Sequence, residues 1–298
     1  MPANFPEIWN GRVIDNLKKA VIASWLEGIS EISANPITIN GGTITEKQKI
    51  YVAATDFDVD VLINNTTYPI DVQEYDDGTI EITLDKYQTK VTTLRDDDIM
   101  GASYDKVDVV TKSHVASILD AKYNRALHSI APAGDTVDTP IIVKTGDDDG
   151  TGRKRLVYED LVQARRKCGW KGARIVLTND DYNDLLLDRK NFGDQLVNYK
   201  AGTPSPVIAG FKLYRFEDGV HPLYTAGLAK KAYGAVKAAG DLEASVIFAP
   251  QGIAKKTGIT KQYFTPAKQN PRTQANELNY RHYYVVVPYQ AKKIGVIV

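Results

Sequence analysis

An α+β fold is what this 298-residue sequence predicts: an extended acidic β-hairpin, a long helix, a mixed α/β region and two apolar C-terminal strands. Three observations carry that expectation. Between Ile50 and Leu94, apolar and polar residues alternate with the period of strands that bury one face. Residues 103–130 repeat apolar side chains at three- and four-residue steps, which at 1.5 Å per residue gives a rod of roughly 40 Å. The chain then closes on two apolar runs, Tyr283–Val287 and Ile294–Val298, on either side of Pro288.

Taken in order, residues 8–27 read as an amphipathic helix with Ile14, Leu17, Val21 and Trp25 on one stripe, and Asn40-Gly41-Gly42 breaks the pattern. Val59, Val61 and Ile63 alternate with acids, as do Tyr68, Ile70 and Val72. After the turn signal Asp77-Gly78, Ile80, Ile82 and Leu84 alternate with Thr79, Glu81 and Thr83. Pro69 marks its strand as an edge or a bulge. Such a hairpin is marginal alone, so its apolar face must be covered by its own domain or by another molecule. In the long helix, Ser103 is the expected N-cap. Val115, Leu119, Tyr123, Leu127 and Ile130 form the stripe, flanked by Val107 and Ile118, and Pro132 ends it. Gly146–Gly152 reads as a flexible polar loop, and Tyr158–Cys168 as a helix. Ile175–Leu177 is a buried strand, and Thr178 with Asp181 opens a short helix. Residues 202–210 are a Pro/Gly loop. Phe211–Phe216 and Ser245–Ala249 are further strands.

Composition narrows the function classes. Lys plus Arg equals Asp plus Glu at 37 each, so no basic excess points to nucleic-acid recognition. The single cysteine, Cys168, excludes an internal disulfide framework and suggests a reducing compartment. No run approaches the ~20 apolar residues of a membrane span, and the N-terminus lacks the pattern of a signal peptide. The expectation is a protein made inside the cell and not bound to a membrane. The neutral total conceals a gradient. Residues 56–98 hold twelve acids against Lys86, Lys90 and Arg95, a net of −9, while residues 251–298 hold eight basic residues against Glu277, a net of +7. These are either two independently solvated surfaces or complementary faces of neighbouring copies.

The search for chemistry finds none. His114, His128, His221 and His282 lack metal-binding spacing, and one cysteine cannot build a CxxC zinc site. Thr145–Leu156 places Asp147, Asp149 and Gly150 at EF-hand positions, but Leu156 stands where a bidentate Glu is needed. The Gly150–Lys154 stretch lacks the GxxxxGK[ST] frame, and the acids Asp96, Asp97 and Asp98 suit a helix N-terminus without a metal. The reading is therefore not an enzyme, with no catalytic, metal or cofactor residues assigned and no cofactor expected.

The order of parts resembles the tailed-bacteriophage major capsid (coat) protein family, whose fold encapsulin nanocompartments share. The stretch TIEITLDKYQTKVTTLRDDDIMGASYDKVDVV, residues 79–110, is similar to the family's exit from its extended loop into its spine helix. IVLTNDDYNDLL, VIAGFKLYRF and the ending ELNYRHYYVVVPYQAKKIGVIV resemble its later regions. The likeness covers nearly the whole chain and rests on order and length, with no single diagnostic motif. It implies an N-terminal arm at 1–40, an extended loop at 41–98, a peripheral domain at 99–155 and 251–298, and an axial domain at 156–250.

In such shells the extended loop reaches across the peripheral domain of an adjacent subunit. The resemblance thus implies inter-subunit contacts from the loop (Tyr68, Ile70, Val72, Glu74, Asp76, Asp77, Ile80, Glu81, Ile82 and Leu84) and from the arm (Ile14, Leu17, Val21 and Trp25). A basic docking segment would comprise Lys255, Lys256, Lys261, Lys268, Arg272 and Arg281. It further implies self-association as hexamers and pentamers, packaged DNA met without sequence readout, and portal and decoration proteins as partners. A fused scaffolding segment would precede the arm, which here starts close to Met1, so a separate scaffolding protein or none is expected. The location implied is the virion capsid, after synthesis in the bacterial host cytoplasm. The rival readings are an encapsulin-like compartment shell and an α/β enzyme with an unrecognised site.

Overall fold

The computed structural model describes residues 23–33, 37–39, 47–54, 59–73, 78–95, 106–188, 197–198, 203–204, 207–217, 219–289 and 291–298. They belong to two compact units, one of residues 32–84 and one of the rest.

The larger unit is organised around strand Arg174–Leu177. Ile175, Val176 and Leu177 form an unbroken apolar run because both faces of the strand are buried. It pairs in parallel with Phe211–Arg215 and antiparallel with Ser245–Phe248. Val207–Ile208 on one side and Ile294–Ile297 and Ile141–Ile142 on the other complete six strands. One face sets Ile175, Leu177, Phe211 and Ile247 against Leu161 and Ala164 of helix Tyr158–Lys167 and Leu185 of helix Asn179–Leu187. Cys168 caps the first helix in that core, fully buried, and burial pushes its thiol up to about 12.

The opposite face offers Val176, Val246, Phe248 and Val296 to Leu127 and Ile130 of the long helix and to Trp25. Trp25 departs from the arm expected for it. Ser24–Leu26 is a single 3-10 turn, and the indole is fully buried, edge-on to Phe216 and Phe248 at 6.1 Å each. Arg174 Nη1 donates to the Trp25 carbonyl at 2.6 Å, so the strand beneath fixes the turn above it. An indole this large is stabilised more by the core than by an arm helix, so no helix runs through Glu27 and Trp25 offers nothing to a neighbour. The remaining arm positions, Ile14, Leu17 and Val21, lie outside the described residues.

The long helix runs Lys106–Ile130 in the described residues; Ser103 lies outside them. It packs on an antiparallel ribbon, Ile253–Thr265 with Ala275–Pro288, to which Asp85–Gln88 and Thr92–Arg95 add as short strands. Its buried stripe holds the expected Val115, Leu119, Leu127 and Ile130, but also Thr111, His114 and Lys122. Beneath them lie Tyr280, His282 and Tyr284, with Lys122 Nζ 4.7 Å from the Tyr284 ring centre and His114 edge-on to Tyr280 at 5.3 Å. At the C-terminal end, Lys230 Nζ donates to the carbonyls of His128 (3.2 Å) and Ala131 (2.5 Å), a cation on carbonyls that the helix leaves unpaired.

Two of the expected domain limits move. Asp85–Gln88 and Thr92–Arg95, placed in the extended loop by sequence, are strands of the ribbon sheet. Ile141–Ile142 and Ile294–Ile297, placed in the peripheral domain, belong to the six-stranded sheet, where their uniformly apolar side chains find cover on both faces.

Charged groups buried beside this sheet are matched. Thr178 Oγ1 accepts from Asp181 N as the expected cap. The Asp181 carboxylate accepts from Ser245 Oγ (2.5 Å) and pairs with Lys144 Nζ (2.6 Å), both partners being buried. Arg153 grips Asp184 with two bonds of 2.8 and 3.0 Å, and Leu156 N also donates to Asp184. These bonds, with Asp148 accepting from Gly150 N and Gly152 N, turn the supposed flexible loop 146–152 into a pinned turn.

Asp181→Ala removes one partner of a buried pair and leaves Lys144 uncompensated. Denaturant unfolding is expected to show a loss of about 3–5 kcal/mol. A loss below about 1 kcal/mol, the worth of a surface pair, would contradict the matched-charge account. His282 is a second test. Burial, with Lys122 beside it, pushes its pKa down to about 3, whereas an unfolded His titrates near 6.5. Above pH 6.5 both states are neutral and it adds no pH dependence. As pH falls toward 3 the unfolded state takes up the proton first, so stability declines. His282→Gln is expected to flatten the stability profile between pH 6.5 and 4; a slope equal to the parent's refutes this.

Candidate assembly interface

The smaller unit is a hairpin with a third strand. Lys47–Ala54 pairs antiparallel with Gly78–Thr83, register Ile50 to Ile82 and Val52 to Ile80, and Ile37–Ile39 adds on the other side. Ile50 and Ile82 are buried on one face. On the other, Glu81 takes Lys49 Nζ at 2.5 Å and the Tyr51 hydroxyl at 3.3 Å.

Strands expected at Val59–Ile63 and Tyr68–Gln73 are absent. The last described pair of the ladder is Ala54 with Gly78, and residues 59–73 have no strand partner among the described residues. Alternation in sequence becomes a strand only where a ladder supplies the hydrogen bonds. Two local contacts shape the segment: Asp60 N donates to Gln73 Oε1, and Asn65 bonds Thr67 N and O across a tight turn. The Tyr68–Pro69 peptide is cis.

The outcome is a run of aliphatic and aromatic side chains in solvent. Val61, Ile63, Tyr68 and Val72 are 75–89% exposed, and Val59, Leu62 and Ile70 are 55–66% exposed. Single exposed apolar residues are ordinary, whereas a contiguous set this dense is not.

The other residues expected at subunit contacts fall out unevenly. Ile80 is half-buried and Glu81 is tied to Lys49. Ile82 and Leu84 are buried at 4% exposure, so they have no surface to offer a neighbour. Glu74, Asp76 and Asp77 lie outside the described residues. In the basic segment, Lys255 turns toward its own subunit, its Nζ 3.5 Å from the Leu26 carbonyl. Lys256, Lys261 and Arg281 line the ribbon face turned away from the long helix, as the register Lys256 to Val285 and Lys261 to Arg281 dictates. The Arg281 guanidinium lies over Tyr263 at 4.9 Å. Lys268 and Arg272 are exposed in the turn that joins the two strands.

Sequence reasoning missed a groove of about 600 Å³ beside the long helix. Val110, Ser113, His114, Ser117, Ile118 and Ala121 form its floor on one helix stripe. Lys86, Tyr87, Gln88, Thr89, Lys90 and Thr92 form its wall. No acid lines it. The imidazole of His114 is buried, and its Nε2 has no hydrogen-bond partner. A signal was available in the polar residues at 113, 114 and 117, on the flank of an otherwise apolar stripe.

For chemistry, the arrangement offers little. The hydroxyl, carboxylate and ammonium of Ser245, Asp181 and Lys144 are bonded to one another in the core. Among the described residues, no three His, Cys, Asp or Glu converge as metal ligands, and no helix is long and apolar enough to cross a membrane.

No protein-family model and no curated protein sequence matches the chain. Solved structures do match. The capsid of a native GTA particle aligns with a TM-score of 0.59 at 11% identity, over 93% of this chain and 90% of that one. The capsid of cyanophage P-SCSP1u gives 0.58 at 12%, over 91% and 90%. A virus-like particle from Pyrococcus furiosus gives 0.50 at 12%, over 99% and 100%. The likeness extends over almost the whole length of the chain, and this chain has the fold of the phage major capsid proteins.

Proposed function

We propose that this chain is a major capsid protein that self-assembles into the icosahedral head shell enclosing packaged phage DNA. The observation that carries the reading, beside the fold, is the run of apolar side chains at 59–72 that the subunit leaves in solvent. Covering it demands a neighbour, and a shell supplies the same neighbour to every copy. The work is mechanical: a weak contact repeated around a closed lattice becomes a strong one. The paired state of the buried Ser245–Asp181–Lys144 group fits a structural role and no catalysis.

The rest of the proposal follows from that role. Subunits would gather as hexamers and pentamers, with scaffolding, portal and decoration proteins as partners. DNA would be met on the inner surface without sequence readout. The location would be the virion capsid, after synthesis in the cytoplasm of a bacterial host. An encapsulin-like compartment is the weaker reading, since several phage and GTA capsids superpose at 0.53–0.59 against 0.50 for the archaeal particle.

Steering by charge is part of the reading: the segment 56–98, net −9, would approach the segment 251–298, net +7, of an adjacent copy. Glu81 is bound to Lys49 in its own hairpin and is left out of that role.

The direct experiment is electron microscopy of the purified protein after gel filtration. Closed shells, or isolated hexamers and pentamers, support the reading. A subunit that stays monomeric under all conditions, scaffolding and crowding included, overturns it. Val61→Asp/Ile63→Asp/Val72→Asp is expected to keep the parent's circular dichroism while abolishing shells; shells in normal yield would contradict the role of the loop. Reversal of Glu74, Asp76 and Asp77 to Lys is expected to slow assembly at low salt, with the gap from the parent narrowing as the screening length falls from ~10 Å at 0.1 M to ~3 Å at 1 M salt. Equal light-scattering traces at low salt would remove the electrostatic part.

A further inference from the structure

We propose that Lys122 is a proton-operated latch between the long helix and the ribbon: its neutral amine completes their contact, and its ammonium loosens it. The device belongs to the single subunit, so it goes beyond the shell reading and does not depend on it.

Geometry carries the case. Lys122 lies on the helix stripe that faces the ribbon and is only 5% exposed. Its Nζ sits 4.7 Å from the centre of the Tyr284 ring and 4.9 Å from that of Tyr123. Among the described residues no carboxylate, carbonyl or hydroxyl bonds it. Lys144, likewise buried, is paired with Asp181, so the two lysines are treated differently by the same fold. The charged groups around Lys122 do not cancel it. The Glu31 carboxylate, from the segment before the hairpin unit, is taken by Thr257 Oγ1 at 2.6 Å. Asp85, opposite Tyr284 in the ribbon sheet, is taken by Arg125 at 3.3 Å. Lys255 carries the same sign as Lys122, and His282 Nδ1 lies 2.9 Å from Thr260 Oγ1. Tyr87 beside Tyr284 completes the surroundings. Burial therefore dominates and pushes the Lys122 amine down to about 8.

The same contact is short of hydrogen bonds. His114 Nε2, His282 Nε2 and both amide atoms of Gln262 are buried without partners. The register Gln262 to Tyr280 places that amide on the side of the ribbon facing the helix. Closing the contact strips water from these atoms, and opening it gives the water back. The sign of the pH effect follows. An exposed lysine titrates near about 10.4. Below about pH 8 the closed and opened forms are both charged, and the contact is at its weakest. Between about 8 and 10.4 the opened form alone holds the proton, so closure strengthens as pH rises. Tyr87 and Tyr284, whose hydroxyls burial keeps protonated, pull the other way above about pH 10. The clean window therefore ends below that.

The test is hydrogen–deuterium exchange of the full chain, read by mass spectrometry from about pH 7 to 9.5 and corrected for intrinsic rates. In the parent, protection of peptides covering 115–125 and 278–286 is expected to climb above pH 8 by up to about ten-fold per pH unit. Lys122→Met is expected to exceed the parent's protection at pH 7 and to lose the climb. Lys122→Arg, charged throughout, is expected to stay flat and poorly protected. A parent without the climb overturns the latch, as does either variant with a climb equal to the parent's. Circular dichroism checks that each variant is folded. Where the Lys122 variants do not fold, Glu31→Gln decides: it removes the acid that favours the ammonium, so the climb is expected to begin at lower pH. A climb that stays in place overturns the proposal.

Discussion

The whole larger unit depends on one strand that has to be covered twice. Its residues Ile175–Leu177, in strand Arg174–Leu177, are apolar on both faces, and water can be kept from them only if two separate layers are built. Two helices answer on one side, brought in by the Thr178 cap and the bond from Ser245 to Asp181. On the other side the answer comes from far away in sequence: the last turns of the long helix and the indole of Trp25. Arg174 links both jobs, holding the Trp25 carbonyl while its own strand sits in the sheet. Terminal and central parts of the chain are thus joined by packing before any neighbour arrives.

The smaller unit presents the opposite situation. Its hairpin buries Ile50 and Ile82 and pairs Lys49 with Glu81, so the paired stem is satisfied. Beyond the stem the chain keeps its aliphatic side chains in water, a state that is unfavourable by roughly 25 cal/mol for each Å² of apolar surface left uncovered. In the isolated subunit this is a liability; in a lattice it is a driving force. The same physics that completes a core inside one unit would be completed between copies here.

Much of this architecture was legible in the residues, and the failures have identifiable causes. Ile175–Leu177 was recognisable as a buried strand because nothing polar interrupts it. The Thr178 cap and the long helix were recognisable because their signals are local. The alternation at 59–73 misled because periodicity reports which side chains could share a face, not whether a partner strand exists. Trp25 misled because a three- and four-residue spacing cannot reveal that a distant sheet claims the indole. Strand Ile253–Thr265 went unread because its apolar positions are diluted by Lys, Thr and Gln, and only the pairing with Ala275–Pro288 makes it visible. Thr111, His114 and Lys122 escaped for a similar reason: polar residues within a buried stripe are understood only once Tyr280, His282 and Tyr284 are seen beneath them. The inward-facing Lys255 shows that a net charge over a segment does not say which way each side chain points.

Cys168 gives the fold a built-in reporter. Its thiol sits in the core at the end of helix Tyr158–Lys167, and burial holds it protonated far above neutral pH. Since the thiolate is the reactive form, an alkylating reagent cannot touch it in the closed molecule. The rate of modification therefore counts how often the central sheet opens. Measured on the free chain and again after any assembly it forms, that one rate would show how far the proposed shell restrains the breathing of its subunit.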